Sequence, residues 1–65
     1  MQVVINGRNV SIDTGRSVAD LVESLELHGK IAVEINRRII PRSQFNAHAV
    51  REGDVIEIVQ AIGGG

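Results

Sequence analysis

The apolar residues of this chain change their spacing twice, and that change limits the possible folds more than any other feature. From Val3 to Ile12 they alternate with more polar residues, as in β-strands. From Val18 to Leu25 they recur three and four positions apart, as on one face of a helix. Alternation returns from Ile31 to Ile35 and again near the end of the chain. The predicted order is two strands, a helix and three further strands.

The first two predicted strands form a β-hairpin whose turn lies within Asn6–Asn9. A turn centred on Gly7-Arg8 pairs Ile5 with Val10 and keeps one face of the hairpin apolar. A turn centred on Asn6-Gly7 sets Ile5 opposite Arg8 instead. We expect the first register, because register follows the face that is buried.

Local signals predict both ends of the helix. Ser17 is the expected N-cap, because its hydroxyl can accept a hydrogen bond from the first turn. Asp20 follows three residues later, in the position of a capping box and near the positive end of the helix dipole. Gly29 is the expected stop, because glycine adopts the left-handed conformation without strain.

The last two strands differ in their expected positions in the sheet. The Ile39-Ile40 run is short and ends at Pro41, which suits an edge strand. Val55 to Val59 is nearly all β-branched and apolar on both faces, which is typical of a central strand. The predicted fold is α+β, a mixed sheet of about five strands with one helix packed on one face. We expect this domain to occupy residues 1–61 and a flexible glycine tail to occupy residues 62–65.

Composition excludes several classes of function. The 65 residues include no cysteine, one aromatic side chain (Phe45, an expected edge of the core) and a formal charge of −1. A chain this short has little volume for a catalytic pocket, and no catalytic triad or carboxylate pair is recognisable, so we expect no enzyme. Nucleic-acid binding is also unexpected without a basic surface or stacking aromatics. His28 and His48 lack further ligands at metal spacing, so no metal site is expected.

The N-terminal segment has neither the basic region of a signal peptide nor an apolar stretch long enough to span a membrane. We therefore expect a soluble, cytoplasmic protein that has no membrane partner. When free, it is expected to be a monomer.

The sequence ends in Gly63-Gly64-Gly65, and two interpretations of that ending remain open. Glycine has no Cβ, so this backbone can enter a channel too narrow for a side chain. The terminal carboxylate of Gly65 would then be a chemical handle, activated on a partner enzyme as an acyl-adenylate. The alternative is an ordinary frayed terminus, since small residues are common at domain ends.

One face of the predicted sheet carries apolar residues that the helix does not cover. We expect a partner to dock there, through Val4, Ala32, Val59, Ala61 and Ile62, with Glu34 and Glu57 at the border. The two glutamates pair with basic partner residues or serve only solubility. A second group, Arg37, Arg38 and Arg42, either binds phosphate or is plain solvated surface.

Three segments, taken in order with the glycine ending, resemble a known family. They are Ala32-Val33-Glu34-Ile35-Asn36, Ile40-Pro41-Arg42 and Glu52-Gly53-Asp54 before a strand. Over the whole chain these features are similar to the ThiS family, the ubiquitin-like sulfur carriers of thiamine biosynthesis with a β-grasp fold. Length and the lack of cysteine fit this family better than the small subunit of molybdopterin synthase, a longer member of the same superfamily.

The resemblance implies a carrier whose C-terminal glycine is modified by other proteins. In that family an adenylating enzyme of the ubiquitin-activating type (ThiF-like) uses ATP and Mg²⁺ to convert this glycine, here Gly65, to an acyl-adenylate. A sulfur donor, such as a cysteine desulfurase, then yields a thiocarboxylate, and thiazole synthase (ThiG-like) receives the sulfur. Gly64 would be the slender stem that enters both active sites, and Gly63 matches a less obligatory position. The carrier itself would bind no cofactor.

Two alternatives to this function stay open. A related carrier would deliver sulfur to molybdopterin, a tRNA base or another cofactor. A non-catalytic β-grasp docking module would bind a partner through its sheet and use the glycines only as a tether. Deletion of Gly64 and Gly65 distinguishes a carrier from a docking module, because only the carrier needs them.

Overall fold

The computed structural model describes residues 1–61, which form a five-stranded mixed sheet with one helix on one face. In chain order the elements are β1 (Gln2–Ile5), β2 (Arg8–Ser11), α1 (Val18–Ser24), β3 (Ile31–Ile35), β4 (Arg38–Ile40), a 3-10 turn (Arg42–Gln44) and β5 (Val55–Gln60). The strand order β2-β1-β5-β3-β4 places β5 at the centre, parallel to β1 and antiparallel to β3. The predicted α+β fold and the central last strand are confirmed.

The register predicted for the first hairpin is wrong. β1 pairs with β2 so that Ile5 lies opposite Arg8 and Val3 opposite Val10, with Asn6-Gly7 at the turn. Asn6 and Gly7 have φ values of 50° and 82°, the two positive values that a type I′ turn requires. Turn geometry decides the register here, because β2 is an edge strand and Arg8 remains exposed opposite Ile5.

The hairpin between β3 and β4 uses the same kind of turn. Asn36 and Arg37 have φ values of 51° and 70°. The Asn36 side chain donates to the buried Asp54 carboxylate at 3.0 Å and accepts from the Val55 N–H, also at 3.0 Å. This turn therefore also fixes the start of β5, which lies beside β3.

The N-terminus of α1 is capped as predicted. Ser17 Oγ accepts from the Asp20 N–H at 3.1 Å, and the Asp20 carboxylate accepts from the Ser17 N–H at 3.0 Å. These hydrogen bonds hold the pKa of Asp20 below its usual value, because they favour the ionised carboxylate. The capping box is complete although aspartate replaces the usual glutamate.

The predicted stop at Gly29 is wrong, because α1 ends at Ser24. Glu26 takes the left-handed conformation with φ 57°, and its N–H donates to the Glu23 carbonyl. The Leu27 N–H donates to the Val22 carbonyl, which completes a Schellman motif. Leu27 packs against the core, so burial of this side chain turns the chain before glycine is reached.

The core lies between α1 and the face of the sheet that α1 covers. Val18, Leu21 and Val22 of the helix are buried, as their spacing predicts. Leu25, the fourth residue of the predicted apolar face, is 41% exposed, because the helix ends at Ser24 and Leu25 is its C-cap. Phe45, after the 3-10 turn, is buried in the same cluster. The remaining buried apolar side chains are Val3, Ile5, Val33, Ile35, Ile40, Val50, Ile56 and Ile58. One apolar layer is thus closed by the helix, and the opposite face of the sheet has no covering element within residues 1–61.

Candidate functional site

The central strand leads directly to the start of the glycine tail. One residue past β5, the Ala61 N–H donates to the Lys30 carbonyl at 2.9 Å. The side-chain amide of Gln60 donates to the His28 carbonyl, also at 2.9 Å. These two hydrogen bonds attach the root of the tail to the segment that precedes β3. Gln60 and Ala61, the last two described residues, are therefore held against that segment.

The tail residues of the predicted site, Ile62, Gly63, Gly64 and Gly65, lie outside the described residues. Their predicted roles, and the predicted boundary between domain and tail, stay predictions.

The sheet face turned away from α1 contains the predicted docking residues. Strand register sets Val4 beside Val55, Ala32 opposite Val59 and Glu34 opposite both Glu57 and Ile39. Ala61 borders the same surface, in a depression that it lines with Lys30, Ala32 and Val59. We call this surface the outer face: Val4, Ala32, Glu34, Ile39, Val55, Glu57, Val59 and Ala61.

Two apolar members of the outer face were missed from the sequence. Ile39 is 68% exposed, close to the 64% exposure of Val59, and Val55 is 49% exposed. Ile39 and Ile40 are adjacent apolar residues, so the sequence does not show which of the two side chains points outward. The pairing of Ile39 with Glu34 in the sheet shows that it is Ile39. Because side chains alternate along β5, Val55 lies on the same face as Val59, and its place on the outer face could have been predicted from the sequence.

The two glutamates lie directly opposite each other in the middle of the outer face, not at its border. Hydrogen bonding with the Glu57 carboxyl raises the pKa of Glu34, and desolvation and the negative charge of Glu57 act in the same direction. The nearby positive charge of Arg37 opposes this rise. A like-charged pair opposite each other in a sheet is destabilising. The centre of the outer face therefore carries two acidic side chains, with Arg37 beside them and exposed apolar residues on the neighbouring positions.

The three arginines that are close in sequence do not form one site. Arg37 lies near Glu34 in a depression of the outer face, whereas Arg38 lines a separate cleft with His48 and Arg51. Arg42 donates to the Gly29 carbonyl and so supports the segment before β3. Each arginine has a different environment, which does not favour a shared phosphate site.

The histidines are likewise apart, since His28 and His48 line different surface depressions. Within residues 1–61, no three side chains of the metal-binding types are grouped closely enough to hold an ion. The described helices include none with the length and apolar character needed to cross a membrane.

The sequence of the chain matches a known protein family over nearly its whole length. The model of the ThiS family matches residues 3–65, which is nearly the whole chain. The chain belongs to the ThiS family. Among curated ThiS relatives, the sulfur carrier protein ThiS of Escherichia coli is 36% identical over 66 aligned positions that cover 100% of both chains. The sulfur carrier protein ThiS of Bacillus subtilis is 41% identical, with 94% of this chain and 96% of that protein covered.

A ThiS-like sequence also occurs inside a longer relative. The thiazole synthase of Paramagnetospirillum magneticum is 41% identical over a region that covers 100% of this chain and 20% of that protein. The chain thus spans one fifth of that relative's length.

A solved ThiS structure has the same fold. The crystal structure of the thiamine biosynthesis protein ThiS from Geobacter metallireducens matches 100% of both chains, with a TM-score of 0.82 and 29% identity. This match confirms the β-grasp fold for the strand order described above.

Proposed function

We propose that this member of the ThiS family, a sulfur carrier of thiamine biosynthesis and not itself an enzyme, carries sulfur on the terminal carboxyl group of Gly65. The observation that carries the proposal is the central position of the strand that precedes the glycine tail. The central strand β5, paired on both sides, ends at Gln60, and the residues beyond Ile62 are glycines without side chains. A rigid domain therefore presents a slender acyl group.

The chemistry follows from the carboxylate. Its oxygen attacks the α-phosphate of ATP on a partner enzyme, pyrophosphate leaves, and the acyl-adenylate gains AMP as a leaving group. Hydrosulfide then attacks the carbonyl carbon and displaces AMP. Where the donor is the persulfide of a cysteine desulfurase, its outer sulfur attacks instead, and a thiol then cleaves the resulting acyl disulfide, releasing the thiocarboxylate and forming a disulfide with the donor cysteine. The product is a thiocarboxylate. ATP and Mg²⁺ are substrates of the adenylating partner, and the carrier supplies no catalytic side chain.

Thiazole synthase is the proposed receiver of the sulfur. The relative of that name contains a region similar to the whole of this chain, which supports a close functional link between carrier and synthase. A ThiF-like adenylating enzyme is the other proposed partner. All of these steps are expected in the cytoplasm, with a carrier that is monomeric when free.

The reach of the tail supports docking through the outer face. The four residues beyond Ala61, residues 62–65, can span at most ~14 Å even when fully extended. An active site that encloses Gly65 must therefore lie close to Ala61, which borders Ala32 and Val59 of the outer face. A partner that binds the tail is thus expected to cover that face as well.

Intact mass measurement tests the carrier function. We expect incubation with ATP, Mg²⁺, the adenylating enzyme and sulfide to add the mass difference of one sulfur replacing one oxygen. A variant without Gly64 and Gly65 keeps the same folded domain and should show no such change. A variant with one alanine added after Gly65 removes the free glycine carboxylate and should also remain unmodified. An unchanged mass of the wild-type chain would contradict the proposal.

The docking-module alternative predicts a different result. It is favoured only by the exposed apolar outer face, which a pure docking domain would need as well. If the chain without Gly64 and Gly65 supports thiamine synthesis in cells as well as the full chain does, the docking-module function is correct and the carrier function is wrong.

A further inference from the structure

The outer face combines features that make folding less favourable. Glu34 of β3 and Glu57 of β5 are direct cross-strand partners, next to the central Val33–Ile58 pair of the ladder. Around them the same surface exposes Ile39, Val55 and Val59. Like charges directly opposite each other destabilise a strand pair, and exposed apolar area invites association. Neither feature contributes to the core, which lies on the other side of the sheet.

Within residues 1–61 neither glutamate forms an ion pair, although Arg37 lines the same depression as both of them. The ion pair present there joins Arg16 to Asp13, on another part of the surface. Arg37 favours the ionised form of Glu34, but it makes no ion pair with it. Lys30 lies at the other end of the face, beside Ala61. The carboxylates are therefore available to an external cation.

The charge and the planar shape of the two carboxylates determine which external group can bind them. A second copy of this chain, docked face to face about a two-fold axis, would bring four carboxylates together, so charge repulsion disfavours a homodimer. Two carboxylates side by side match the planar, multiply donating guanidinium group better than a single ammonium group. The exposed apolar residues on both sides would exclude water from such a contact and strengthen it.

We propose that the Glu34 and Glu57 pair is the receptor for an arginine side chain on the partner protein that takes up the tail. This inference rests on the proposed function, because that function requires a partner at the outer face. The arginine would be surrounded by apolar partner residues that cover Val55, Val59 and Ile39. Docking through this contact would orient the domain so that Ala61 points toward the partner's active site.

Calorimetric titration of purified thiazole synthase and of the purified adenylating enzyme, each from the same organism, tests the inference. We expect the double variant Glu34→Gln/Glu57→Gln to bind at least one of them about tenfold or more weakly, as for removal of a desolvated charge contact. The affinity of the wild-type chain should fall with added salt, and that of the double variant should depend on salt much less.

The matched control is Glu23→Gln/Glu26→Gln, which changes the net charge equally on the helix side of the domain. Its affinity should remain within about twofold of wild type. Thermal unfolding provides a second readout: the outer-face variant should melt at a higher temperature than wild type, because the repulsion is removed. A merely misfolded variant would melt at a lower temperature, so loss of affinity through misfolding is recognised.

Two results would overturn the inference. One is a Glu34→Gln/Glu57→Gln chain that binds both enzymes within twofold of wild type, with an unchanged salt dependence. The other is an equal loss of affinity in the helix-side control, which would show a general charge effect. Failure of the carrier function itself is seen separately, as an unchanged mass of the wild-type chain after incubation with ATP and sulfide.

Discussion

Asn6 and Ile58, 52 positions apart in the chain, are joined by two hydrogen bonds through one side chain. The Asn6 amide accepts from the Ile58 N–H at 2.9 Å and donates to the Ile58 carbonyl at 3.2 Å. It thus continues the parallel pairing of β1 with β5 beyond the last backbone contact, at the Asn6 N–H and the Ile56 carbonyl. The residue that forms the first turn also holds the central strand.

Asn6→Ala should therefore lower the free energy of unfolding by about 2–3 kcal/mol, through two lost hydrogen bonds and a left-handed backbone that alanine tolerates poorly. Urea denaturation measures the change. Asn46→Ala, at an exposed position after the 3-10 turn, is the control and should change stability by less than ~0.5 kcal/mol. Equal effects at the two positions would refute the role of Asn6.

Arg37→Gly should stabilise the fold, because Arg37 has a φ of 70° in a turn where glycine carries no strain. Relief of that strain exceeds the greater chain entropy of glycine, for a net gain of about 0.5–1 kcal/mol. Arg38→Gly lies one residue further, inside β4, and should be destabilising instead. Urea denaturation of both variants checks the opposite signs, and a loss of stability in Arg37→Gly would contradict the strain argument.

Asp20 and Glu34 should contribute oppositely to the pH dependence of stability. The pKa of Asp20 is lowered in the folded state, so its contribution is present above the usual value of 3.8 and is lost as pH falls through the lower folded value. The pKa of Glu34 is raised above 4.5, so the ionised group opposes folding, and stability decreases as pH rises from 4.5 through the folded value.

Thermal unfolding between about pH 2 and pH 7 tests both signs. Asp20→Asn should make the acid-side loss of stability less steep, and Glu34→Gln should raise the melting temperature near neutral pH more than at acid pH. A Glu34→Gln variant that melts below wild type at neutral pH would show that the cross-strand carboxyls do not repel each other.

The exposed apolar residues of the outer face should matter for binding and little for folding. Ile39→Thr and Val59→Thr keep the β-branched shape and should change the free energy of unfolding by less than ~0.5 kcal/mol. Each should weaken calorimetric binding to a tail-receiving partner by roughly fivefold to tenfold. Leu25→Gln removes an exposed apolar side chain from the helix side and should leave binding unchanged. Unchanged affinity in both threonine variants would exclude this face as the docking site.

Gln60→Ala should affect the activation step more than docking. Loss of the hydrogen bond to the His28 carbonyl frees the root of the tail without altering the outer face. We expect adenylation by the partner to show a kcat reduced by several-fold, with KM for the carrier nearly unchanged, because orientation of the reacting group is lost. Pyrophosphate release measures both constants. Gln44→Ala, exposed in the 3-10 turn, is the control, and an equal kcat for the two variants would remove this role from Gln60.

Features set by neighbouring residues were predictable from the sequence. The spacing of Val18, Leu21 and Val22 predicts the buried face of α1, and Ser17 with Asp20 predicts its cap. The cap depends on contacts within one helical turn, and the helical period determines which side chains share one face. The resemblance to the ThiS family likewise depends only on a few short sequence segments, the glycine ending and their order along the chain. It is confirmed across residues 3–65.

Features that depend on distant neighbours were decided by the tertiary structure. The turn at Asn6-Gly7 follows from an edge position for β2, where an apolar pairing is worth little, and from the bonds of Asn6 to Ile58. The helix stops before Gly29 because Leu27 packs on the core. The acidic pair is central, not peripheral, because antiparallel register sets Glu34 opposite Glu57. Sequence spacing specifies which side chains share a face of one element, whereas strand order and register specify which elements meet, and the candidate docking site depends on both.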